Sequence, residues 1–490
     1  MNRISGTAHA LGFLLVSCLA AVPVSAQKVD RSAPPKVGPP PVFRMAPIQR
    51  FTLSNGLRVV LLEKHEVPLV QINLVFSTGS VMDPKGKTGL ASMTAAMLTE
   101  GAAGRDALAL ADAIDYLGAQ ISASSGYHTA SVSLSTPLAK LDSALALQAD
   151  IALRPTFPPG ELERNRKDRL TTLLQWRDEA RAQASVMFNR EVYGETHPYG
   201  ASAIGDEQAI RSLAVEDLQR FFSRHYRPNN AFMVVVGDVT VQMMKPKLES
   251  AFGAWKPGPP APEPFPAIVP KEKRSVTIVD KPGAAQTEIR IGRAGSPRAT
   301  DDYYALVVMN TILGGSFSSR LNQNLRETHG YTYGAGSSFA FRLHAGPFLA
   351  GAAVHTAKTD SALMEMLKEL TAMMKPVPAE ELERAKNYVA LGFPGDFQTV
   401  RDIALRLEET MIYELPETYF NNYIDRILSV TGEDVQRVAK KFLDPEKMAV
   451  VLVGDRKEIQ EKIVAMKLGP MQTLTVEDVL GKPPVIGDTK

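Results

Sequence analysis

Residues able to bind a metal or to act as a nucleophile are few and scattered in this sequence. The chain has 490 residues, with eight histidines and a single cysteine, Cys18. The histidines are His9, His65, His128, His197, His225, His329, His344 and His355. No two of them lie within five residues, so no short motif offers paired imidazoles to a metal, and only a site built from distant histidines is left open. A Gly-x-Ser-x-Gly nucleophile elbow is absent.

Composition and charge exclude several further classes of protein. Lys plus Arg is 55 and Asp plus Glu is 53, a net charge of +2, which gives no support for a nucleic-acid partner or an anionic membrane surface. One cysteine excludes a disulfide framework, a Cys-rich zinc module and an Fe–S cluster. Gly86-Lys87-Thr88 lacks the partner glycine of a phosphate loop, which would fall on Val81, so we interpret it as a polar turn before a helix.

The chain contains an internal duplication. Residues 212–238 and 429–455, offset by 217, are identical at 10 of 27 positions. They read SLAVEDLQRFFSRHYRPNNAFMVVVGD and SVTGEDVQRVAKKFLDPEKMAVVLVGD. The protein is therefore built from two homologous halves.

Each copy of the repeat predicts a helix followed by a buried strand. Ser212 and Ser429 are expected to cap the two helices, and Pro228 and Pro445 to stop them. The short β-branched runs that follow, each ended by Gly-Asp, are typical of buried strands.

The two halves also begin alike, which defines the domain organisation. Two strand pairs are expected, Leu57–Leu62 with Leu69–Phe76 and Val276–Val279 with Thr287–Ile291. Helices are expected next, at Gly89–Leu98 and Asp302–Leu313. Residues 256–275 hold seven prolines and are predicted to be a semi-rigid linker. The expected fold is α+β, with two domains, 49–255 and 276–465, each a sheet with packed helices.

A longer motif begins at Gly79 and reads GSVMDPKGKTGLASMTAAMLTEGAAG. It resembles a segment of the M16 peptidases, of pitrilysin, insulinase and mitochondrial-processing type, with the pattern G-S-x-x-E-x-x-G-x-x-G-L-A-H-F-L-E-H-M-L-F-x-G-T. The residues in register are Gly79, Ser80, Gly86, Gly89, Leu90, Ala91, Met97, Leu98 and Gly101. The duplication and the linker fit that family, and the resemblance covers about Phe51 to Val464.

The residues that bind zinc in that family are missing here. Its H-x-x-E-H motif falls on Ser92, Met93, Thr94, Ala95 and Ala96. Ser92 and Ala96 replace the two histidine ligands, and Ala95 replaces the glutamate that activates water. The third ligand, a glutamate about 75 residues later, falls near Leu170, Thr171 and Thr172. The resemblance therefore predicts that this chain binds no metal.

The second half keeps a signature of the same family. Residues 314–334 read GGSFSSRLNQNLRETHGYTYG, similar to G-G-x-F-S-S-R-L-x-x-x-L-R-E-K-x-G-L-A-Y. The resemblance implies that Arg326 anchors a substrate carbonyl and that Tyr333 donates to the oxyanion formed at the scissile bond. Tyr331 replaces the usual leucine, so a role shared between Tyr331 and Tyr333 stays open. Arg320 is expected to hold the segment in place.

The Arg/Tyr pair is intact but the zinc site is missing, which indicates that the catalytic groups are divided between two subunits. The resemblance implies a non-catalytic subunit that binds an extended peptide and lends Arg326 and Tyr333 to a partner M16 chain, which carries zinc on an intact H-x-x-E-H. One alternative is an inert structural or peptide-binding homologue, like the core subunits of respiratory complexes. Another is a peptidase that is active alone through an unrecognised site.

The chain ends predict export. Arg3, an apolar run from Ala10 to Val22 and the small residues before Gln27 are typical of a cleavable signal peptide over 1–26, which places the protein in the periplasm or outside the cell. A lipoprotein anchor at Cys18 is the alternative. The Pro-rich leader 27–48 is expected to be extended and solvated, and the tail 466–490 to wrap the surface. No later segment is long and apolar enough to span a membrane.

Overall fold

A computed structural model describes residue 38, residues 42–259 and residues 265–485. The predicted signal peptide, with Cys18, and part of the predicted linker lie outside the described residues. Within the described ranges, no helix combines the length and apolarity needed to cross a bilayer.

The first half is built around a six-stranded sheet with the order β1-β2-β8-β3-β7-β6. Its strands, together with the small hairpin β4–β5, are β1 (Ile48–Thr52), β2 (Arg58–Glu63), β3 (Leu69–Phe76), β4 (Gly101–Ala102), β5 (Arg105–Asp106), β6 (Gln120–Ser125), β7 (Ala130–Pro137) and β8 (Ala231–Gly237). Its helices are α1 (Leu90–Met97), α2 (Ala107–Tyr116), α3 (Leu141–Leu153), α4 (Pro159–Trp176), α5 (Ala180–Tyr193), α6 (Glu207–Ser212), α7 (Val215–His225) and α8 (Val241–Phe252).

The second half repeats this plan with a sheet of order β11-β12-β10-β13-β9-β14. Its strands are β9 (Ser275–Asp280), β10 (Gln286–Ala294), β11 (Thr332–Phe339), β12 (Pro347–His355), β13 (Ala449–Gly454) and β14 (Met471–Leu474). Its helices are α9 (Tyr303–Asn310), α10 (Arg320–Asn322), α11 (Thr359–Met373), α12 (Ala379–Gly392), α13 (Val400–Ile412), α14 (Tyr419–Leu428), α15 (Gly432–Phe442), α16 (Arg456–Ala465) and α17 (Val476–Leu480). Two π-helical turns, Thr311–Gly315 and Gln323–Thr328, flank α10.

The expected strands are present, but the expected strand pairs are not. The last strand of each half inserts between the first two: β8 lies parallel to β2 and antiparallel to β3, and β13 has the same relation to β9 and β10. Both inserted strands are buried along their whole length. A strand buried on both faces reads as a continuous apolar run, which is the pattern that predicted it.

Each half lends one helix to the sheet of the other. The helix α5 of the first half packs Ala184, Met187 and Phe188 against β13. The helix α13 of the second half packs Val400, Ile403, Ala404 and Leu407 against β3 and β8. These four residues form one helical stripe, and Thr399 with Asp402 caps its start. The two halves thus share buried interfaces, and the linker alone does not hold them together.

Three predictions about element ends were wrong. The N-cap positions of the repeated helices lie two residues later than expected, at Ala214, which has no capping side chain, and at Thr431, whose hydroxyl accepts from the Asp434 amide. The leader is not wholly solvated, because the Phe43 ring lies 4.5 Å from that of Phe397 and packs against the core. The tail does more than wrap the surface, because β14 extends the second sheet beside β9 and α17 packs against α5.

A buried carboxyl group lies where α13 crosses β3. The Asn73 side-chain amide, itself buried, donates to Glu408, and Gln71 donates to Asn73 at 2.6 Å. Burial raises the pKa of Glu408 to about 7, and the Asn73 hydrogen bond offsets this only in part. Because the folded pKa exceeds the unfolded value, ionisation of Glu408 destabilises the folded protein. The free energy of unfolding is therefore unaffected by this group below about pH 4.5 and falls as pH rises through 7.

Replacing Glu408 with glutamine is expected to remove this loss. The variant should be more stable than the wild type by roughly 2–3 kcal/mol at pH 8 and nearly equal to it at pH 4.5. Denaturant unfolding at both pH values measures the difference.

The other exchanged helix supplies a comparison for this variant. Glu191 of α5 also packs against the sheet of the opposite half, and it lies 3.1 Å from Lys271. Burial alone would raise the pKa of Glu191, but Lys271 and the Thr277 and Ser275 hydroxyls lower it below the usual value. Glu191→Gln should therefore destabilise the protein at pH 8, and the same sign for both variants would contradict this account.

Candidate functional site

The segment that resembles the zinc-binding motif of the M16 peptidases forms α1 in this chain. Gly89 precedes it with φ +87°, and a β-carbon there would lie 2.5 Å from the Ile204 carbonyl oxygen. Only glycine tolerates both the left-handed backbone and this close approach. The loop that ends near Gly205 is therefore held against the start of α1.

An arginine side chain lies between these elements. Arg169 of α4 donates through Nη1 to the carbonyls of Gly89 at 3.0 Å and Ile204 at 3.1 Å, and to Ser92 Oγ at 3.0 Å. The Ser92 hydroxyl donates in turn to the Ala203 carbonyl at 2.6 Å. Ser92 stands at a family ligand position, so the Arg169 guanidinium hydrogen-bonds a residue that would be a metal ligand in the family. Arg169 itself lies on α4, the helix on which the third ligand was expected.

The other positions of the motif offer nothing to a metal. Ala96 is half-buried, and Ala95, at the position of the base, is completely buried. The residues present therefore do not fit zinc, and among the described residues no group of three His, Cys, Asp or Glu side chains is arranged to hold a metal ion.

Asp83 supplies the negative charge that faces Arg169. Its carboxylate accepts from the Gly89 and Ala91 backbone amides, both at 2.7 Å, at the positive end of α1. Burial raises the pKa of Asp83 to about 7, against the opposing effect of these hydrogen bonds and of Arg169. Burial also lowers the pKa of Arg169 to about 10, so the guanidinium stays charged at neutral pH.

The isolated protein is expected to contain no stoichiometric zinc. The reason is that neutral side chains at positions 92, 95 and 96 cannot coordinate the ion, and that Arg169 adds a positive charge beside them. Elemental analysis of the purified chain tests this, with a catalytic M16 chain prepared in parallel as the control. About one tightly bound zinc per chain would contradict it.

Histidines from distant parts of the sequence do come together, in an aromatic cluster. His128 and His344 lie 5.7 Å apart between ring centroids, and Phe265 stacks on His344 at 3.7 Å. His128 hydrogen-bonds the Tyr199 hydroxyl, and His197 Nδ1 accepts from the Tyr199 amide at 3.0 Å. This cluster joins the middle of the linker to both halves.

The second-half signature folds into a short helix between two π-helical turns. Gly314 has to be glycine, because a β-carbon there would lie 2.2 Å from the Ser337 amide nitrogen of β11. Arg320 makes a bidentate ion pair with Glu381 at 2.8 and 2.5 Å, with both side chains 17% exposed. The structural role expected for Arg320 is confirmed.

Arg326 and the two tyrosines have different surroundings. Arg326 lies in the π-helical turn Gln323–Thr328, 4.6 Å above the Phe317 ring and 3.4 Å from Glu327. Tyr331 is half-buried and stacks on His329 at 4.9 Å. Tyr333, on the edge strand β11, is 87% exposed. Of the two phenols, that of Tyr333 is free to reach a ligand.

Tyr333 lines a groove across one face of the second sheet. The groove has a volume of about 740 Å³ and runs over β10, β12 and β11. Its residues include the glycines Gly314, Gly334, Gly336 and Gly351 and the charged residues Arg181, Glu288 and Arg290. Sequence reasoning missed these three charged residues and also Arg169 and Asp83. For Asp83 alone there was a signal, because it stands at the acidic position of the first motif.

Two family models match the chain. Residues 58–198 match the model described as insulinase (peptidase family M16), and residues 212–389 match the peptidase M16 inactive domain. Together these ranges cover more than half of the chain. The chain belongs to the M16 family, as a homologue of the inactive type that lacks the zinc motif.

Similar proteins and structures agree with the family assignment. A Helicobacter pylori protein described as a non-peptidase homolog is 23% identical over 410 residues, covering 82% of this chain and 92% of its own. A Rickettsia felis protein described as an uncharacterized zinc protease is 25% identical over 402 residues, covering 80% and 93%. A crystal structure of a peptidase M16 inactive domain from Pseudomonas fluorescens superposes with a TM-score of 0.78 at 28% identity, covering 83% of this chain and 98% of that chain.

Proposed function

We propose that this protein is the non-catalytic, substrate-binding subunit of a heterodimeric M16 zinc endopeptidase exported from the cytoplasm. It would bind an extended peptide and contribute Arg326 and Tyr333 to the zinc site of a partner with an intact H-x-x-E-H. The partner would hold the zinc, and this chain would hold none.

The observation that carries the proposal is a contrast between the two halves. In the first half, Arg169 hydrogen-bonds Ser92 at a family zinc-ligand position, and Asp83 accepts hydrogen bonds from the start of the same helix. In the second half, Tyr333 stands almost fully exposed over a groove of peptide dimensions. The groove beside Tyr333, lined in part by glycine and alanine, offers room for an extended chain.

The side chains of Arg326 and Tyr333 can both donate hydrogen bonds to a peptide bound at a partner's metal site. The Arg326 guanidinium, placed over Phe317, can donate to a substrate carbonyl while its stem stays packed. The Tyr333 phenol can donate to the oxyanion that forms as water attacks the scissile carbonyl. Neither group can activate the water, so hydrolysis would depend on the partner's zinc.

Reconstitution tests the proposal. The mature chain is mixed with each M16 chain of its genome that has an intact H-x-x-E-H, and hydrolysis of a quenched fluorescent peptide library is measured with complex size. We expect one partner to form a complex with an interface above about 1,200 Å² and to gain activity. If every partner is as active alone as in the mixture and no complex forms, the inert binding-protein alternative is favoured.

Export has its own test. A protein recovered from the periplasm or the medium with Gln27 at its N-terminus would support cleavage of residues 1–26. A diacylglyceryl-modified Cys18 at the N-terminus would instead support the lipoprotein alternative.

A further inference from the structure

We propose that Arg181 and Arg290 form a carboxylate-binding subsite in the groove beside Tyr333, so that the bound peptide presents an acidic side chain or a free C-terminus there. This inference rests on the proposed function in one respect, since it takes the ligand to be a peptide.

The charges in the groove do not balance. Arg290 Nη2 lies 3.1 Å from Glu288 Oε1, and Arg181 Nε lies 3.7 Å from the same oxygen. Among the described residues that line the groove, these three are the only charged ones, so one carboxylate faces two guanidinium groups. The surplus is one positive charge, which an anionic ligand would neutralise.

The two arginines differ in exposure in a way that suits a binding site. The Arg290 side chain is 14% exposed, and its Nε is buried without a hydrogen-bond partner. Burial lowers the pKa of Arg290, a sign that its charge is poorly solvated. The Arg181 side chain is 79% exposed and can move to meet a ligand. A carboxylate can accept from both guanidinium groups with charge-assisted hydrogen bonds.

The fold does not require these charges. Glu288 is opposite Val453 in the β10–β13 pair, and Gln71 is opposite Val236 in the β3–β8 pair, 217 residues earlier in each case. Arg290 corresponds in the same way to Asn73. The same sheet face is thus built with two neutral amides in the first half, so the charged set is a specialisation of the half that carries Tyr333.

The floor of the groove admits a peptide backbone. Gly334, Gly336, Gly351 and Ala353 lie on the strands next to the charged residues. With at most a methyl group at each position, an extended chain can lie close to the sheet while its side chains reach Arg181. Such close backbone approach is a recurring use of glycine.

Calorimetric titration of the mature chain alone tests the subsite without any partner. Four peptides of one uncharged sequence are compared: blocked at both ends, blocked with a central glutamate, blocked with a central lysine, and with a free C-terminus. We expect either the glutamate or the free C-terminus to bind about tenfold more tightly than the blocked neutral peptide, and the result identifies the source of the carboxylate. Equal affinity for all four peptides overturns the proposal.

Two variants give opposite signs if the subsite exists. Arg181→Gln should abolish the tenfold preference, whereas Glu288→Gln should tighten binding of the acidic peptide about fivefold by removing the competing carboxylate. Arg220→Gln is the matched control, because Arg220 is 72% exposed and lies outside the groove. An unchanged preference in Arg181→Gln, or weaker binding in Glu288→Gln, overturns the proposal. Hydrolysis by the reconstituted complex with neutral peptides would still be intact in that case, which separates this failure from a failure of the proposed function.

Discussion

Replacing Tyr333 with phenylalanine is expected to lower kcat of the reconstituted peptidase by about 10²–10³-fold, the usual effect of losing one oxyanion donor. The ring remains, and Tyr333 is 87% exposed, so folding and assembly should be unchanged. The loss should appear in kcat more than in KM, because the phenol's hydrogen bond strengthens only as the oxyanion forms. Steady-state hydrolysis and complex size are measured together.

Two controls isolate the effect of the Tyr333 hydroxyl. Tyr116→Phe removes an equally exposed phenol, 82% exposed, from α2 in the other half and should change neither constant. Tyr331→Phe should also be silent, because Tyr331 packs against His329 and the core. Full activity of Tyr333→Phe, with Tyr331→Phe silent as well, would show that this chain contributes no catalytic group.

Arg326→Ala should act differently from Tyr333→Phe. If the guanidinium anchors a backbone carbonyl in both the ground and the transition state, its loss raises KM and leaves kcat nearly unchanged. The truncation also removes the contact with Phe317, so complex size must be checked beside the kinetics.

The repeat made much of the fold predictable. Buried strands such as β8 and β13 carry long apolar runs, and the helices before them have apolar stripes, so local pattern was sufficient. Strand order was not predictable in this way, because β8 inserts between two strands that are neighbours in sequence but not in space. The packing of α5 and α13 against the sheet of the opposite half was not predictable either, because an apolar stripe on a helix does not show which sheet it packs against.

The site was predictable only where a motif marked it. Ser92, Ala95 and Ala96 could be read as an empty zinc motif because their spacing fits the family pattern. The contact of Arg169 with Ser92 could not be predicted, because Arg169 is one of several arginines on α4. Two others, Arg164 and Arg166, form ordinary ion pairs nearby. Only the three-dimensional placement distinguishes Arg169 from them.

Replacing Arg169 with methionine is expected to destabilise the first half by about 3 kcal/mol at pH 9. The change leaves the Gly89 and Ile204 carbonyls without their donor and removes the cation whose charge favours ionised Asp83, and leaving such buried groups uncompensated is costly. The loss should be smaller at pH 5, because the Asp83 pKa of about 7 leaves the carboxyl neutral there in the folded protein. Denaturant unfolding at both pH values measures the two losses.

The controls for Arg169→Met separate charge from packing. Arg164→Met on the same helix removes a guanidinium that is 52% exposed and should cost less than about 1 kcal/mol at either pH. Adding Asp83→Asn to Arg169→Met should recover part of the loss at pH 9 and little at pH 5, because only the ionised carboxylate needs the guanidinium. A loss in Arg169→Met that is independent of pH and unaffected by Asp83→Asn would mean that Arg169 acts through packing alone. The pH-dependent outcome would instead identify Arg169 as a buried cation whose charge interaction with Asp83 stabilises the start of α1.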